Sequence, residues 1–236
     1  MKRFQTVMAA GALVACASAA AEDFSFSGGV ALTTDYVFRG ISQTNEKPAI
    51  QGNIDLNHTS GFYAGVWGSN VNFKDDGQAQ AEFDLYAGIG SEAGPWGWDV
   101  GYVYYAYPGA DTCGGDDCNY DYWELYGSLS HSFEMFTPKV GVYWSNDYFG
   151  STGNAWYPYL DVDVPLGDTG LGLGLHLGHQ TIDEGSNYTD WKVGLTYAVL
   201  GVDLELAYTD TNLSKNDCGG EDICDARAVF TVSKSF

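Results

Sequence analysis

The side chains best suited to acid–base chemistry in this 236-residue chain are four histidines, His58, His131, His176 and His179. A hydrolase of the serine type needs such a base within hydrogen-bond reach of its nucleophile. His58 and His131 fall in predicted turns. His176 and His179 are three residues apart and therefore face opposite sides of a strand. No G-x-S-x-G motif occurs. We therefore expect no catalytic residue, and a hydrolase is the weakest of the alternatives.

Acidic residues dominate the charge. Asp and Glu number 31 against 10 Lys and Arg, which gives a formal net charge of −21. Such a field repels nucleic acid and attracts cations. We expect small solutes or cations, and no nucleic acid, among the partners of this chain.

The first 21 residues have the pattern of an export signal. Met1, Lys2 and Arg3 form a positive start, residues 4–15 are apolar, and residues 19–21 form an A-x-A-like cleavage site. We predict a signal peptide at 1–21 and one domain at 22–236. An alternative is a lipoprotein box at residues 13–16, which would make Cys16 an acylated N-terminus.

Four further cysteines form two close pairs, Cys113 with Cys118 and Cys218 with Cys224. Export to an oxidising compartment favours disulfides. Two local bridges are the simplest arrangement, although four cysteines permit three connectivities. The spacings are not of the zinc type and no histidine is close in sequence. We expect no metal and no cofactor.

Alternation of apolar and polar residues runs through the whole remaining chain, and this period of two is typical of β-strands. No run of about 18 apolar residues is present that would predict a membrane helix. The alternation predicts twelve strands, at 24–39, 49–58, 62–73, 79–91, 97–107, 120–130, 135–144, 156–165, 171–181, 189–198, 202–210 and 226–236.

The connections between these strands alternate between short turns and longer loops, except that the one near 74–78, where a long loop is expected, is also short. Bacterial outer-membrane barrels have an even strand number, tight turns at one end and long loops at the other. The fold class expected is therefore all-β, a single closed antiparallel transmembrane barrel in the outer membrane. A soluble β-sandwich would also alternate, but it would not require this asymmetry between the two ends.

Aromatic residues near strand ends predict girdles at the two membrane interfaces. The candidates are Tyr36, Phe38, Trp67, Phe73, Trp98, Tyr104, Trp144, Trp156, Trp191, Tyr208 and Phe236. Phe236 also ends the chain as an aromatic assembly signal would. The expected partners are thus outer-membrane lipid, the barrel-assembly machinery and periplasmic chaperones.

Several segments resemble a known family. The run LTTDYVFRGISQ at residues 32–43, GFYAGVWGSNV at 61–71 and the closing VSKSF at 232–236 are similar to the TorF-type porin family of proteobacteria. The resemblance covers nearly the whole mature chain and implies a porin in the outer membrane. It brings no catalytic or binding residues, and the two cysteine pairs are additions to its pattern.

The polar residues of each strand, which share one parity, would line the barrel interior, because charges on a lipid face are costly. The lumen-facing candidates are Asp35, Arg39, Asp55, Glu82, Asp84, Glu124, Lys139, Asp161, Asp163, Asp190, Lys192, Asp203, Glu205 and Arg227. Acidic linings favour cations. We expect a passive, weakly cation-selective diffusion channel for small solutes or ions. The alternative is a non-conducting structural or adhesive barrel that acts through its loops.

Overall fold

The structure is a computed structural model, and it describes residues 23–74, 79–110 and 120–236. The strands are β1 Phe24–Thr33, β2 Val37–Phe38, β3 Ile41–Ser42, β4 Ala49–His58, β5 Phe62–Asn70, β6 Ala81–Ala93, β7 Trp96–Ala106, β8 Tyr122–His131, β9 Thr137–Ser145, β10 Ala155–Pro165, β11 Leu171–Ile182, β12 Tyr188–Val199, β13 Val202–Thr211 and β14 Arg227–Ser235. Among these described residues, no helix is long and apolar enough to cross a bilayer.

Twelve of the strands form one closed antiparallel barrel, which confirms the fold expected from the alternation. Each strand pairs with its sequence neighbours, and β1 pairs with both β4 and β14 to close the ring. Closure leaves no free sheet edge. The two remaining strands, β2 and β3, form a separate two-stranded sheet.

The two faces of the barrel wall differ as the period of two requires. On the outer face, large apolar side chains remain exposed, including Phe26 at 65%, Leu32 at 61% and Ile50 at 64%. On β14, Phe230 and Val232 share this parity, whereas Thr231 and Ser233 have the opposite one. The wall therefore presents an apolar belt outward and polar groups inward.

Glycine on the inner face makes room for tyrosine from a neighbouring strand. A Cβ atom built on Gly65 would lie 2.6 Å from the Tyr86 ring, and one built on Gly101 would lie 2.4 Å from Tyr126. The same relation holds for Gly88 with Tyr63, Gly141 with Tyr159 and Gly178 with Tyr157. Tyrosines thus lie flat against the wall where the opposing residue has no side chain, a packing used in β-sheets to cover glycine.

The first strand is shorter than predicted. We expected it to run from 24 to 39, but β1 ends at Thr33, whose hydroxyl donates to the Asp35 carbonyl oxygen (2.8 Å). The chain then turns into the barrel and forms the β2–β3 pair, with positive φ at Arg39 (47°) and Gly40 (80°) between the two strands. Residues 34–48, here named the inward hairpin, thus replace the end of the predicted strand.

The predicted aromatic girdles need a matching correction. Trp98, Tyr104, Trp144, Trp156, Trp191, Tyr208 and Phe236 have the outward parity. Tyr36 and Phe38 belong to the inward hairpin, and Trp67 and Phe73 pack against the buried interior cluster. These four rings were predicted as girdle residues because they lie near strand ends, but the interior of this barrel end is itself aromatic.

Candidate functional site

The tip of the inward hairpin is fitted closely to the opposite wall. A Cβ atom on Gly40 would lie 2.4 Å from Cγ2 of Thr211 and 2.8 Å from Cβ of Asp190. Its φ of 80° also disfavours any residue with a side chain. Two separate constraints therefore require glycine at this position, namely the backbone conformation of the turn and the close approach of the wall.

Arg39 carries the main contact of the inward hairpin. Its guanidinium binds Glu124 of β8 through two nitrogens, at 3.0 Å to Oε1 and 2.6 Å to Oε2, and donates to Gln180 Oε1 of β11 at 2.8 Å. The side chains of Arg39 and Glu124 are 5% and 1% exposed. Buried, bidentate pairs of this kind are among the strongest charge-assisted hydrogen bonds.

Aromatic rings surround the same guanidinium. Its Cζ lies 4.2 Å from the Tyr157 ring centroid, 5.0 Å from Tyr143, 5.9 Å from Tyr148 and 4.7 Å from Phe38. Burial raises the pKa of Tyr148 to about 12, so its ring stays neutral. Rings within about 6 Å of a cation attract it through their quadrupole. Together with Glu124 and Gln180, the tyrosines form what we name the guanidinium cage.

The base of the inward hairpin is held to β14. Asp35 accepts from the hydroxyls of Ser42 (2.6 Å) and Thr44 (2.8 Å), and from Nη1 of Arg227 (3.0 Å). Arg227 also approaches Glu46 at 3.5 Å. Asp35 is 6% exposed, and this network satisfies both of its carboxylate oxygens. The inward hairpin is thus ion-paired at its tip and at its base.

On another wall, Tyr36 packs against Trp67 and donates to Glu82 Oε1 at 3.1 Å. Glu82 is 2% exposed, and Asp84 lies two residues further along β6. Among the described residues, Glu82 Oε2 and Asp84 Oδ1 are buried atoms without a hydrogen-bond partner. This side of the lumen is therefore acidic and is not neutralised by an ion pair in the described chain.

The loop of residues 212–226 covers the inward hairpin and contains the Cys218–Cys224 disulfide. The Ser42 amide donates to the Ile223 carbonyl (2.9 Å), and Arg227 donates to the carbonyls of Asp222 (2.6 Å) and Asp225 (3.0 Å). On its exposed side, a hydrogen bond from Lys215 lowers the pKa of Asp222. The predicted pair Cys113 and Cys118 lies outside the described residues, as do residues 1–21 and Cys16.

Aromatic residues close the same end of the barrel. Phe73 packs against Tyr107, Tyr120 and Phe149, and the Tyr120 and Phe149 rings stack with centroids 4.9 Å apart. Tyr122 joins them through Phe149. Phe73, Tyr107, Tyr120 and Phe149 come from three different connections and Tyr122 from the start of β8, and together these rings form an aromatic cluster next to the inward hairpin.

A cavity of about 440 Å³ adjoins the inward hairpin within the barrel. Along one wall, Lys139 pairs with Asp161 (3.0 Å), and His176 contacts both Asp161 (2.6 Å) and Asp190 (3.1 Å). Lys192 pairs with Glu205 at 3.1 Å in the same lining. Asp190 is buried, whereas the other five side chains are partly exposed, and all six line the same polar space.

The register places the predicted lining residues as follows. Asp55, Glu82, Asp84, Glu124, Lys139, Asp161, Asp163, Asp190, Lys192, Asp203, Glu205 and Arg227 share the inner parity of the barrel strands. Asp35 and Arg39 reach the interior from the inward hairpin instead of from a strand. The structure brings Arg39 to Glu124 and Asp35 to Arg227, pairings that the parity argument did not contain.

Gln180 and Gly40 are the residues that the sequence argument missed. Gln180 is fully buried and lies at the end of a glycine-rich alternating run, where its amide gave no distinct signal. Gly40 did carry a signal, because a glycine at the start of a long connection is typical of a turn. His176 contacts the Tyr157 hydroxyl (2.7 Å) and the carboxylates of Asp161 and Asp190, and none of these groups is a serine nucleophile.

Within 23–74, 79–110 and 120–236, no cluster of three or more His, Cys, Asp or Glu residues could hold a metal ion. The carboxylates of the lumen are instead distributed around the wall.

Solved structures with the same fold are porins. The KdgM porin matches with a TM-score of 0.58 and 10% identity, over 89% of this chain and 99% of its own. A structure described as the KdgM porin in complex with disordered oligogalacturonate matches with a TM-score of 0.58 and 8% identity, over 89% and 98%. The NanC porin gives 0.56 and 9%, over 87% and 97%.

No curated protein sequence matches the chain. A family profile does match it, over residues 17–236, which is nearly its whole length. The chain belongs to the family described as "Bacterial protein of unknown function (Gcw_chp)".

Proposed function

We propose that this protein is an outer-membrane channel of the porin type, constricted by the inward hairpin and selective for small cations over anions. The observation that carries the proposal is a polar, predominantly acidic lumen inside a closed barrel with an apolar outer belt. An apolar belt suits a bilayer, and an acidic lining favours cations. We expect residues 1–21 to direct export, and the barrel-assembly machinery and periplasmic chaperones to insert the barrel.

Charge argues against an acidic oligosaccharide as the solute. The KdgM porin is described with oligogalacturonate, a polyanion. The lumen of the present chain has inward acidic residues that outnumber its basic ones, and Lys139 and Lys192 are both paired with carboxylates. A polyanion would meet repulsion here, because an acidic lining disfavours negative charge in the lumen. The inward hairpin further limits passage to small solutes.

The test is a planar-bilayer recording of the purified protein under a KCl gradient. We expect a conducting channel whose reversal potential has the same sign as the K⁺ equilibrium potential, as it does when K⁺ is more permeant than Cl⁻. The double variant Asp55→Asn/Asp203→Asn should move this potential toward zero, since both carboxylates have the inner parity. Asp168→Asn is the matched control, because it removes the same charge from an exposed turn.

Two results would contradict the proposal. Anion preference in the wild-type protein would overturn the selectivity. A barrel that conducts neither as the wild type nor after removal of residues 36–46 would favour the alternative, a non-conducting barrel acting through its loops. The buried inward hairpin is what makes this alternative worth testing, since it fills part of the lumen.

A further inference from the structure

The guanidinium cage is built almost wholly by the barrel wall. Glu124 comes from β8, Tyr143 from β9, Tyr157 from β10 and Gln180 from β11. Tyr148 belongs to the loop that follows β9. Among the described side chains that contact the Arg39 guanidinium, only the Phe38 ring belongs to the inward hairpin itself. The wall therefore contributes a site, and the inward hairpin contributes its occupant.

Other contacts hold the cage side chains in place independently of Arg39. Tyr105 donates to Glu124 Oε2 at 3.0 Å, and Tyr157 donates to Asp190 Oδ1 at 2.9 Å. The Gln180 amide nitrogen donates to the Thr181 carbonyl oxygen at 3.3 Å. Glu124, Tyr157 and Gln180 therefore each have a wall partner that positions them without the inward hairpin. A preorganised site loses little binding free energy to reordering.

The cage chemistry selects one class of ligand. A carboxylate that accepts two parallel N–H bonds matches the planar fork of a guanidinium, whereas an ammonium offers a point charge. The Gln180 oxygen accepts from the same nitrogen that binds Glu124 Oε1, and the Tyr157 ring lies against the guanidinium carbon. The cavity also reaches the cage, since Arg39, Tyr143 and Tyr157 are part of its lining.

We infer that the guanidinium cage is a solute-binding site for small guanidinium compounds, and that Arg39 is a built-in competitor for it. A solute that takes the cage displaces the tip of the inward hairpin and so widens the lumen. This inference rests on the proposed channel function for its consequence, but the binding itself does not require conduction.

Binding is tested by chemical rescue of Arg39→Ala, which empties the cage. We measure the midpoint of thermal unfolding of the purified, detergent-solubilised barrel in millimolar ethylguanidinium. Methylammonium is the control for the planar fork, because it has the positive charge without that geometry. Urea is the control for the charge, because it is planar but neutral. We expect ethylguanidinium alone to raise the midpoint of Arg39→Ala. The shift should be lost in Arg39→Ala/Glu124→Gln and smaller in the wild type, where Arg39 occupies the cage.

Arg227→Ala is the matched control variant. It also removes a buried arginine that ion-pairs with the inward hairpin, yet no cation–π contact involves Arg227 in the described parts of the chain. The unfolding midpoint of Arg227→Ala should be the same in ethylguanidinium as in methylammonium. An equal response of Arg39→Ala and Arg39→Ala/Glu124→Gln, or of Arg39→Ala and Arg227→Ala, would overturn the cage as a guanidinium site.

If Arg39→Ala does not fold, the yield of heat-modifiable barrel on refolding replaces the midpoint. Ethylguanidinium should then restore the yield and methylammonium should not; equal yields in the two would overturn the inference. Currents separate this inference from the proposed function. Specific stabilisation without any conductance would reject the channel and retain the site. Conductance without specific stabilisation would reject the site and retain the channel.

Discussion

Substitution of Glu124 by Gln should release the inward hairpin without removing its arginine. The variant keeps the shape of the side chain but leaves the Arg39 guanidinium buried opposite a neutral amide. Removing one partner of a buried ion pair costs about 3–5 kcal/mol. The barrel wall need not unfold to avoid this cost, because Arg39 can return to water when the inward hairpin leaves the lumen. The docked hairpin alone is therefore destabilised.

This free-energy cost determines how much of the protein has the inward hairpin undocked. Since each 1.4 kcal/mol is a factor of ten, the ratio of docked to undocked hairpin should fall by about two to three and a half orders of magnitude. Limited proteolysis measures it, because trypsin cleaves after arginine and the Arg39–Gly40 bond is buried in the docked state. Cleavage tracks the open population when opening and closing are fast. Lys47 does not interfere, because Pro48 follows it and blocks cleavage.

The expected result is slow cleavage of the wild type and cleavage of Glu124→Gln that is faster by a factor of about a hundred or more. Glu205→Gln is the control. Its ion pair with Lys192 also faces the lumen, but the two side chains are 32% and 43% exposed. Exposed pairs contribute about 0–1 kcal/mol, so cleavage should change by less than about tenfold. Similar cleavage of Glu124→Gln and the wild type would refute the reasoning.

Three further changes test the surroundings of the hairpin and the closure of the barrel. Gly40→Ala should also speed cleavage at Arg39, because the added methyl group clashes with the wall and the positive φ costs about 1–2 kcal/mol of backbone strain. Gly94→Ala is the control. Its φ is 63° and a Cβ atom there has nothing within 4 Å, so this variant has the backbone strain without the clash and should leave cleavage unchanged. Replacing Cys218 and Cys224 by Ser removes a constraint of about 2–4 kcal/mol from the covering loop and should raise cleavage and current noise; unchanged traces would show that the loop does not hold the hairpin. Deleting Phe236, whose backbone exchanges two hydrogen bonds with β1, should lower the yield of heat-modifiable barrel in the outer membrane, and a normal yield would reject the assembly-signal prediction.

The barrel could be predicted from sequence because its determinants are local. Phe230 and Val232 alternate with Thr231 and Ser233, and that period alone gives the two faces of β14. The inward hairpin could not be predicted in this way. Its partners Glu124 and Gln180 are 85 and 141 residues from Arg39, so no window of sequence contains the pairing.

The same locality explains the error at the end of the first strand. Tyr36 and Phe38 continue the apolar parity of β1, and period alone cannot distinguish an outward ring from one that packs in an aromatic interior. Gly40 was the available signal against a continuous strand. It predicts a turn, but it does not tell whether the turn points into the lumen or away from it.

Opening of the inward hairpin should change selectivity as well as size, and the two cage variants separate these effects. Arg39→Ala removes a cation from the lumen and leaves Glu124 unpaired, so the open channel should be more cation-selective than the wild type. Glu124→Gln opens the same path, but it removes the negative charge from the wall. It should therefore conduct more than the wild type with weaker cation preference than Arg39→Ala. Reversal potentials under one KCl gradient give the order directly. Equal potentials in the two variants would show that Glu124 does not face the permeating ions, and that the hairpin occupies a pocket beside the path instead of crossing it.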